Sequence, residues 1–365
     1  MKNNKKVRVV IGAGGTGGHL FPASEIKKEL EARGYDVYLI TDKRGKRFAS
    51  QFSKIYTIIG GGLSGENLWY RIKSLSKLAI GFIQTFFHMI MIRPKVVIGM
   101  GGYISVPVVL WGKILGKKTL IHNADSILGN ANIFLSKFAD VVAVSFKNTK
   151  KIPDGANVKF VGLPLRDEIK KIVDTPYPII NDKVPFVIAV MGGSQGAEIF
   201  SDIVSRAIAM LDEKIRKRLF IYQQVVQYDI EDVKSFYKSF NIKCEIRSFF
   251  TNPAEILQKC HLFIGRAGAS TVLEIGSVGR PAIFIPIKHK DRQQVINAEQ
   301  ITSAGGGEII LQDDFTAESL YNVLKKFVIN ENLLENMAKK AKIFKLKNNA
   351  SQNIVDAIDE LLLIK

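Results

Sequence analysis

Two segments of this chain run an apolar strand straight into a cluster of glycines and then into helix-forming sequence. They are Val7-Arg8-Val9-Val10-Ile11-Gly12-Ala13-Gly14-Gly15-Thr16-Gly17-Gly18-His19 and Pro185-Phe186-Val187-Ile188-Ala189-Val190-Met191-Gly192-Gly193-Ser194-Gln195-Gly196-Ala197. Glycine lets the backbone turn sharply and approach a ligand, and the helix that follows offers its first N–H groups to an anion. A chain that does this once in each half is constrained to α/β domains with parallel sheets. The two are expected to face a shared cleft suited to a phosphorylated substrate and to group transfer.

A length of 365 residues fits two such domains better than one core. The 52 basic against 34 acidic side chains, a formal charge of +18, favour an anionic partner: nucleic acid, a membrane leaflet or a diphosphate. Nucleic acid is set aside, because the chain has no zinc-finger spacing, aromatic-rich single-strand module or compact basic recognition helix. Cys244 and Cys260 are too far apart for a CxxC pair, which points to a reducing cytoplasm. The N-terminus passes into the first strand without the apolar run of a signal peptide, so secretion is not expected. The least polar stretch, Leu78 to Ile92, is shorter than the roughly 20 residues of a spanning helix and is interrupted by Gln84 and His88. Two readings of it stand together. It is a helix buried against a parallel sheet, or it carries a patch of Ile80, Phe82, Ile83, Phe86 and Phe87, preceded by Lys73 and Lys77, that rests on an anionic membrane.

Apolar runs suited to buried parallel strands recur at Val7 to Ile11, Val37 to Ile40, Val96 to Ile98, Thr119 to Ile121 and Val141 to Val144. The pattern restarts at Phe186 to Val190 and continues through Leu219 to Tyr222, Cys244 to Ile246, Leu262 to Ile264 and Ala282 to Pro286. Both halves therefore read as doubly wound sheets. The expected division is a first domain over 1–165, a linker over 166–184 with Thr175-Pro176-Tyr177-Pro178 inside it, and a second domain over 185–345. The terminal segment, 346–365, has helical spacing and is open to packing back on the first domain.

The first glycine turn is a loose match to a dinucleotide fingerprint, and Asp36 and Asp42 only roughly fit as the acidic group that would take a ribose diol. A P-loop is excluded because no GK[ST] ending follows the glycines. His19 stands where the loop enters its helix. There the helix dipole opposes added positive charge, so a neutral imidazole could accept a proton from a hydroxyl; a capping role is the alternative. The other histidines are too dispersed for a zinc site and no Asp-x-Asp pair is present, so neither metal nor cofactor is expected. In the second half, Gly265-Arg266-Ala267-Gly268-Ala269-Ser270-Thr271 repeats the strand-to-helix turn. Glu274 follows as a carboxylate for ribose hydroxyls or as a helix-stabilising charge. The strand exit His289-Lys290-Asp291-Arg292-Gln293-Gln294 is dense in groups that both donate and accept, which suits the reading of sugar hydroxyls.

The segments GGTGGHLFPA, GMGGYISVP, GGSQGA, GRAGASTVLEIGSVGRPAIFIP and HKDRQQVINA occur in this order along essentially the whole chain. In this the sequence resembles the MurG family of bacterial peptidoglycan glycosyltransferases, N-acetylglucosaminyltransferases of family 28. The resemblance implies a GT-B fold, UDP-N-acetylglucosamine as donor, lipid I (undecaprenyl-diphospho-muramoyl-pentapeptide) as acceptor, inversion to a β-1,4 linkage, and a peripheral position on the cytoplasmic face of the inner membrane. By that resemblance Phe249 and Phe250 lie beside the uracil, Ser194 and Gln195 with the following helix start and Arg166 take the diphosphate, and Arg266, Ala269, Ser270 and Thr271 belong to the donor set. Glu274 takes the ribose, and Gln293 and Gln294 read the sugar. Thr16, Gly17, Gly18 and Asp125 also belong to the donor set. Gly15, Thr16, His19 and Tyr103 hold the acceptor, with His19 as candidate base. Proteins of the division or elongation machinery stand as further candidate partners.

One departure from the family pattern matters. Where the family has His-Glu-Gln-Asn, this chain has His122-Asn123-Ala124-Asp125. The carboxylate is absent from the second position, while Asp125 could reach donor or acceptor from two residues away. Two competing functions are another GT-B sugar transferase, distinguished by its acceptor, and a membrane-bound scaffold that would not consume the donor.

Overall fold

The computed structural model describes residues 6–15, 17–60, 68–181, 183–193, 198–225, 229–342 and 349–363; Thr16, Ser194 and Gln195 lie outside them. The chain forms two compact units, the first ending at Arg166 and regaining the C-terminal helix, the second starting at Asp167.

The first unit contains β1 (Arg8–Gly12), α1 (Gly17–Ala32), β2 (Asp36–Thr41), β3 (Ile55–Thr57), α2 (Leu68–Ile92), β4 (Val96–Gly99), α3 (Gly102–Ile114), β5 (Lys118–Asn123), α4 (Asn130–Leu135), β6 (Val141–Val144) and β7 (Val158–Phe160). Its seven strands are parallel in the order β3-β2-β1-β4-β5-β6-β7. Side chains alternate across the sheet, so Val9 and Ile11 join a different core from Val10. On one face Leu20, Ala23, Ile26 and Leu30 of α1 pack with Ile354, Val355, Ile358 and Leu361 of the terminal helix. On the other face lie Met89 and Ile92 of α2, Ile104 and Val108 of α3 and Leu135 of α4.

The second unit contains α5 (Asp167–Lys170), β8 (Phe186–Met191), α6 (Ile199–Ala209), α7 (Glu213–Arg216), β9 (Leu219–Gln224), α8 (Ile230–Ser239), β10 (Lys243–Arg247), α9 (Pro253–Lys259), β11 (Leu262–Gly265), α10 (Ala269–Val278), β12 (Ala282–Phe284), α11 (Gln293–Thr302), β13 (Gly307–Ile309), α12 (Ala317–Val328) and α13 (Glu331–Ala341). Six parallel strands run β10-β9-β8-β11-β12-β13. The final helix, α14 (Ala350–Leu363), belongs to the first unit. Both units are Rossmann-like, as the GT-B fold requires.

The strand order reverses beside β1 in the first sheet and beside β8 in the second. Parallel sheets bind ligands outside the carboxyl ends of strands at such a reversal. In the first unit the glycine turns after β1 and β4 flank this point; in the second, the turns after β8 and β11 do. The segment between the sheets is tied to the second unit. The Tyr177 hydroxyl donates to the His261 carbonyl at 2.8 Å, and the fully buried Arg280 guanidinium donates to the Leu257 carbonyl at 2.7 Å and the Pro176 carbonyl at 3.5 Å.

Candidate active site

The turn after β1 is shaped by what crosses it. A Cβ on Gly14 would stand 2.3 Å from Ile104 Cγ1, so only glycine lets the turn lie against α3. Beneath it the buried Asp42 carboxylate accepts the N–H of Gly15 at 3.2 Å and of Gly45 at 2.7 Å, and the hydroxyl of Tyr103. Burial pushes the Asp42 carboxyl up, but Tyr103, the two amides and Arg44 outweigh it and hold the group below the usual carboxylate range. Asp42 thus organises the turn and is not available to a ribose. Asp36 is equally committed, to Lys54 and to the Tyr38 hydroxyl at 2.9 Å.

His19 lies in the first turn of α1, partly buried, with its ring against the backbone that starts α3. A Cβ on Gly101 would meet its Cε1 at 3.3 Å, and Gly101 and Gly102 both have positive φ, at +92° and +71°. These two glycines let the ring and the helix start share the space. Among the described residues, Nδ1 of His19 is shut off from solvent and has no hydrogen-bond partner of ordinary geometry. Burial holds its pKa below the ordinary histidine value, with the Asp125 carboxylate and the Met100 backbone acting in the opposite sense. A neutral imidazole beside a carboxylate is equipped to take a proton.

The departure at 122–125 has a physical account. Asn123 Nδ2 donates to the carbonyls of Asp125 at 2.7 Å and Ile127 at 3.2 Å, and its Oδ1 accepts from Gly129 N–H at 3.2 Å and Asn132 Nδ2 at 3.1 Å. A carboxylate could not make the two donations, so asparagine braces the loop and the negative charge acting on His19 comes from Asp125. His122 is buried with Nε2 3.1 Å from Ser145 Oγ. Burial pushes its imidazole down to about 4, the Gly162 backbone opposing and His19 adding to the fall.

In the second unit the turn after β11 leads to Gly268, which caps α10; the first intrahelical bond, Val272 N–H to the Gly268 carbonyl, is 3.0 Å. Ala269, Ser270 and Thr271 precede it, so their amides have no acceptor in the helix. Glu274 follows, half-buried. Arg266 donates to the Ile285 carbonyl at 2.9 Å and lies over the Phe200 ring at 5.2 Å. Gln293 starts α11 and is half-buried. Gln294 is placed differently from a sugar reader that uses both ends: its Oε1 accepts the N–H of Ala267 at 3.2 Å and of Ile287 at 3.1 Å, tying the turns after β11 and β12 together and leaving only its NH2. Phe250 is 7% exposed, packed on Tyr222, whereas Phe249 is 50% exposed. Arg166, in the first unit, sits over the Phe21 ring at 5.5 Å.

Two residues that set these turns are not among the site candidates. Gln224 accepts Gly192 N–H at 3.2 Å and donates to the Gly193 carbonyl at 3.1 Å, and Asn297 Nδ2 donates to the Ala267 carbonyl at 3.2 Å. The available signal was a glutamine pair closing the apolar strand β9.

The apolar helix α2 has two faces. Ile80, Ile83, Phe87, Ile90 and Met91 are exposed at helical spacing, and Lys77 is exposed beside them. Phe82 and Phe86 are half-buried and pack on Trp111 with ring centroids 4.8 and 4.6 Å apart, so these two are committed to a contact within the unit. The Lys73 side chain lies outside the described residues. Among the described residues, no helix is long and apolar enough to cross a membrane.

Residues 9–144 match the glycosyltransferase family 28 N-terminal domain and residues 187–355 the C-terminal domain. The curated UDP-N-acetylglucosamine–N-acetylmuramyl-(pentapeptide) pyrophosphoryl-undecaprenol N-acetylglucosamine transferase of Bartonella bacilliformis is 39% identical over 364 residues, covering 99% of this chain and 95% of its own. The enzyme of the same name from Paramagnetospirillum magneticum is 39% identical over 323 residues, 87% of each chain. The crystal structure of Acinetobacter baumannii MurG superposes with a TM-score of 0.78 at 28% identity, over 97% of this chain and 99% of that one. The calicheamicin glycosyltransferase CalG4, at a TM-score of 0.70 and 10% identity over 99% of each chain, shares the fold alone. With both family domains matched and such relatives aligned over nearly its full length, this chain belongs to glycosyltransferase family 28 and is closely related to MurG.

Proposed function

We propose that the protein transfers N-acetylglucosamine from UDP-N-acetylglucosamine to the C4 hydroxyl of the muramoyl sugar of lipid I, forming lipid II for peptidoglycan synthesis. The observation that carries this reading is the near full-length likeness to curated transferases whose name states both donor and acceptor. In the transfer, the C4 oxygen attacks the sugar C1 from the side opposite UDP. Its proton passes to His19, the bond from C1 to the UDP oxygen breaks, and UDP leaves with the electron pair, so the linkage inverts. The second unit holds the donor: Ser194, Gln195, Arg266 and the amides of Ala269, Ser270 and Thr271 take the diphosphate, Glu274 the ribose, and Gln293 with the NH2 of Gln294 the sugar. Phe249 and Phe250 flank the uracil. Arg166, Asp125, Thr16, Gly17 and Gly18 complete the donor set. The first unit holds the acceptor through Gly15, Thr16, His19 and Tyr103. The exposed face of α2 rests on the cytoplasmic leaflet of the inner membrane, which lets a peripheral enzyme meet a lipid-borne acceptor.

Transfer of labelled N-acetylglucosamine to a lipid I analogue, measured without divalent metal, tests this. Wild-type enzyme is expected to form product, and His19→Ala to lose about 10²–10⁴-fold in kcat while still binding UDP, the range for a positioned general base. Absence of product from folded, donor-binding wild type would sink the assignment of acceptor.

A further inference from the structure

The proposed reaction gives no task to one charged group at the first glycine turn. Asp42, 7% exposed on its side chain, places a fixed negative charge under the amide of Gly15. A carboxylate there repels any anion approaching the same turn, because both draw on the same N–H potential. Arg44 offsets that charge from the solvent side. Its Nε is 3.6 Å from the Asp42 carboxylate, its Nη2 donates to the Tyr103 hydroxyl at 3.3 Å, and its side chain is 68% exposed. These contacts engage two of the five N–H donors of the guanidinium, so a fork of donors remains on a group already held at the rim of the turn. Burial and the hydrogen bond to Asp42 both raise the Tyr103 phenol, which keeps it protonated and the arrangement of acid, phenol and arginine intact through neutral pH.

We propose that Arg44 is an acceptor-binding residue whose guanidinium, oriented by Asp42 and Tyr103, contacts the diphosphate of the prenyl-linked acceptor. This rests on reading the first unit as the acceptor unit. An arginine suits the task because its planar fork matches phosphate oxygens two at a time, while a lysine supplies the charge without the fork.

The test is calorimetric binding of farnesyl diphosphate to the full chain with the donor site saturated by UDP, for wild type, Arg44→Ala and Arg44→Lys. Arg44→Ala is expected to weaken binding about tenfold, as for loss of a charged hydrogen bond, and Arg44→Lys to recover part of it. UDP affinity and binding to phosphatidylglycerol vesicles are expected to stay unchanged, and KM for lipid I to rise with kcat held. Wild type that fails to bind farnesyl diphosphate, or Arg44→Ala that binds it normally, would overturn the inference. So would a parallel loss of UDP binding, which would assign Arg44 to the donor, or of vesicle binding, which would assign it to the membrane. If wild type binds farnesyl diphosphate yet transfers nothing to lipid I, the proposed reaction falls, and the binding series still decides the role of Arg44.

Discussion

At the scale of single residues, His19 carries opposing influences: burial favours the neutral ring, while Asp125 and, less, the Met100 backbone favour the imidazolium. Removing the carboxylate leaves only the Met100 backbone against burial. Asp125→Asn is therefore expected to lower the His19 pKa further, moving the acid limb of the kcat/KM profile to lower pH and reducing the plateau, because a weaker base accepts the proton less readily. An acid limb that stays in place would show that Asp125 does not act on the base. His19 was legible in the sequence because it adjoins a glycine turn whose chemistry is local. The turn-holding roles of Asp42, Gln224 and Gln294 were not, because each serves a backbone amide 27 to 32 residues away along the chain, and that of Asn123 was not, because its partners are set by the fold of its own loop. Gln294, 27 residues from the Ala267 amide it accepts, shows the difficulty: a side chain that looks like a sugar reader is half consumed in holding a turn.

Among the elements, the central strands were readable as apolar runs because both their faces are covered. The short edge strands β3, β7 and β13 were not: their side chains are half-buried or exposed, and nothing in such segments separates a strand from a loop. The terminal helix was readable as a helix, but its destination was not. In the structure, α14 covers the same sheet face as α1, and Arg33 of the α1 end pairs with Asp356 at 2.6 Å and Asp359 at 2.8 Å. Ile358, fully buried there, is the side chain whose loss best tests this packing. Ile358→Ala is expected to cost about 2–5 kcal/mol in denaturant unfolding of the first unit. Hydrogen exchange should rise in β1 and β2 while β8 and β9 stay protected; an equal rise in both sheets would refute the assignment of α14 to the first.

For the whole molecule, the proposed membrane contact would use the charge of +18 and the exposed face of α2 by different means. In that proposal charge draws the protein to an anionic leaflet over a distance set by salt, and apolar side chains hold it by burial in the interface. Ile83→Glu and Phe87→Glu are each expected to weaken co-sedimentation with phosphatidylglycerol vesicles about tenfold, while Phe82→Leu, on the Trp111 side, leaves it near wild type. Equal binding by all three variants would move the membrane contact elsewhere. The return of α14 to the first unit also bears on how the protein is made. The first sheet leaves the ribosome early, but Leu20, Ala23, Ile26 and Leu30 wait for partners at the far end of the message. At about 5–20 residues per second, synthesis of the intervening second unit takes roughly 10–40 s. The first unit to emerge is thus the last to be completed, and through that interval the apolar side chains of α1 that α14 will cover lack their partner.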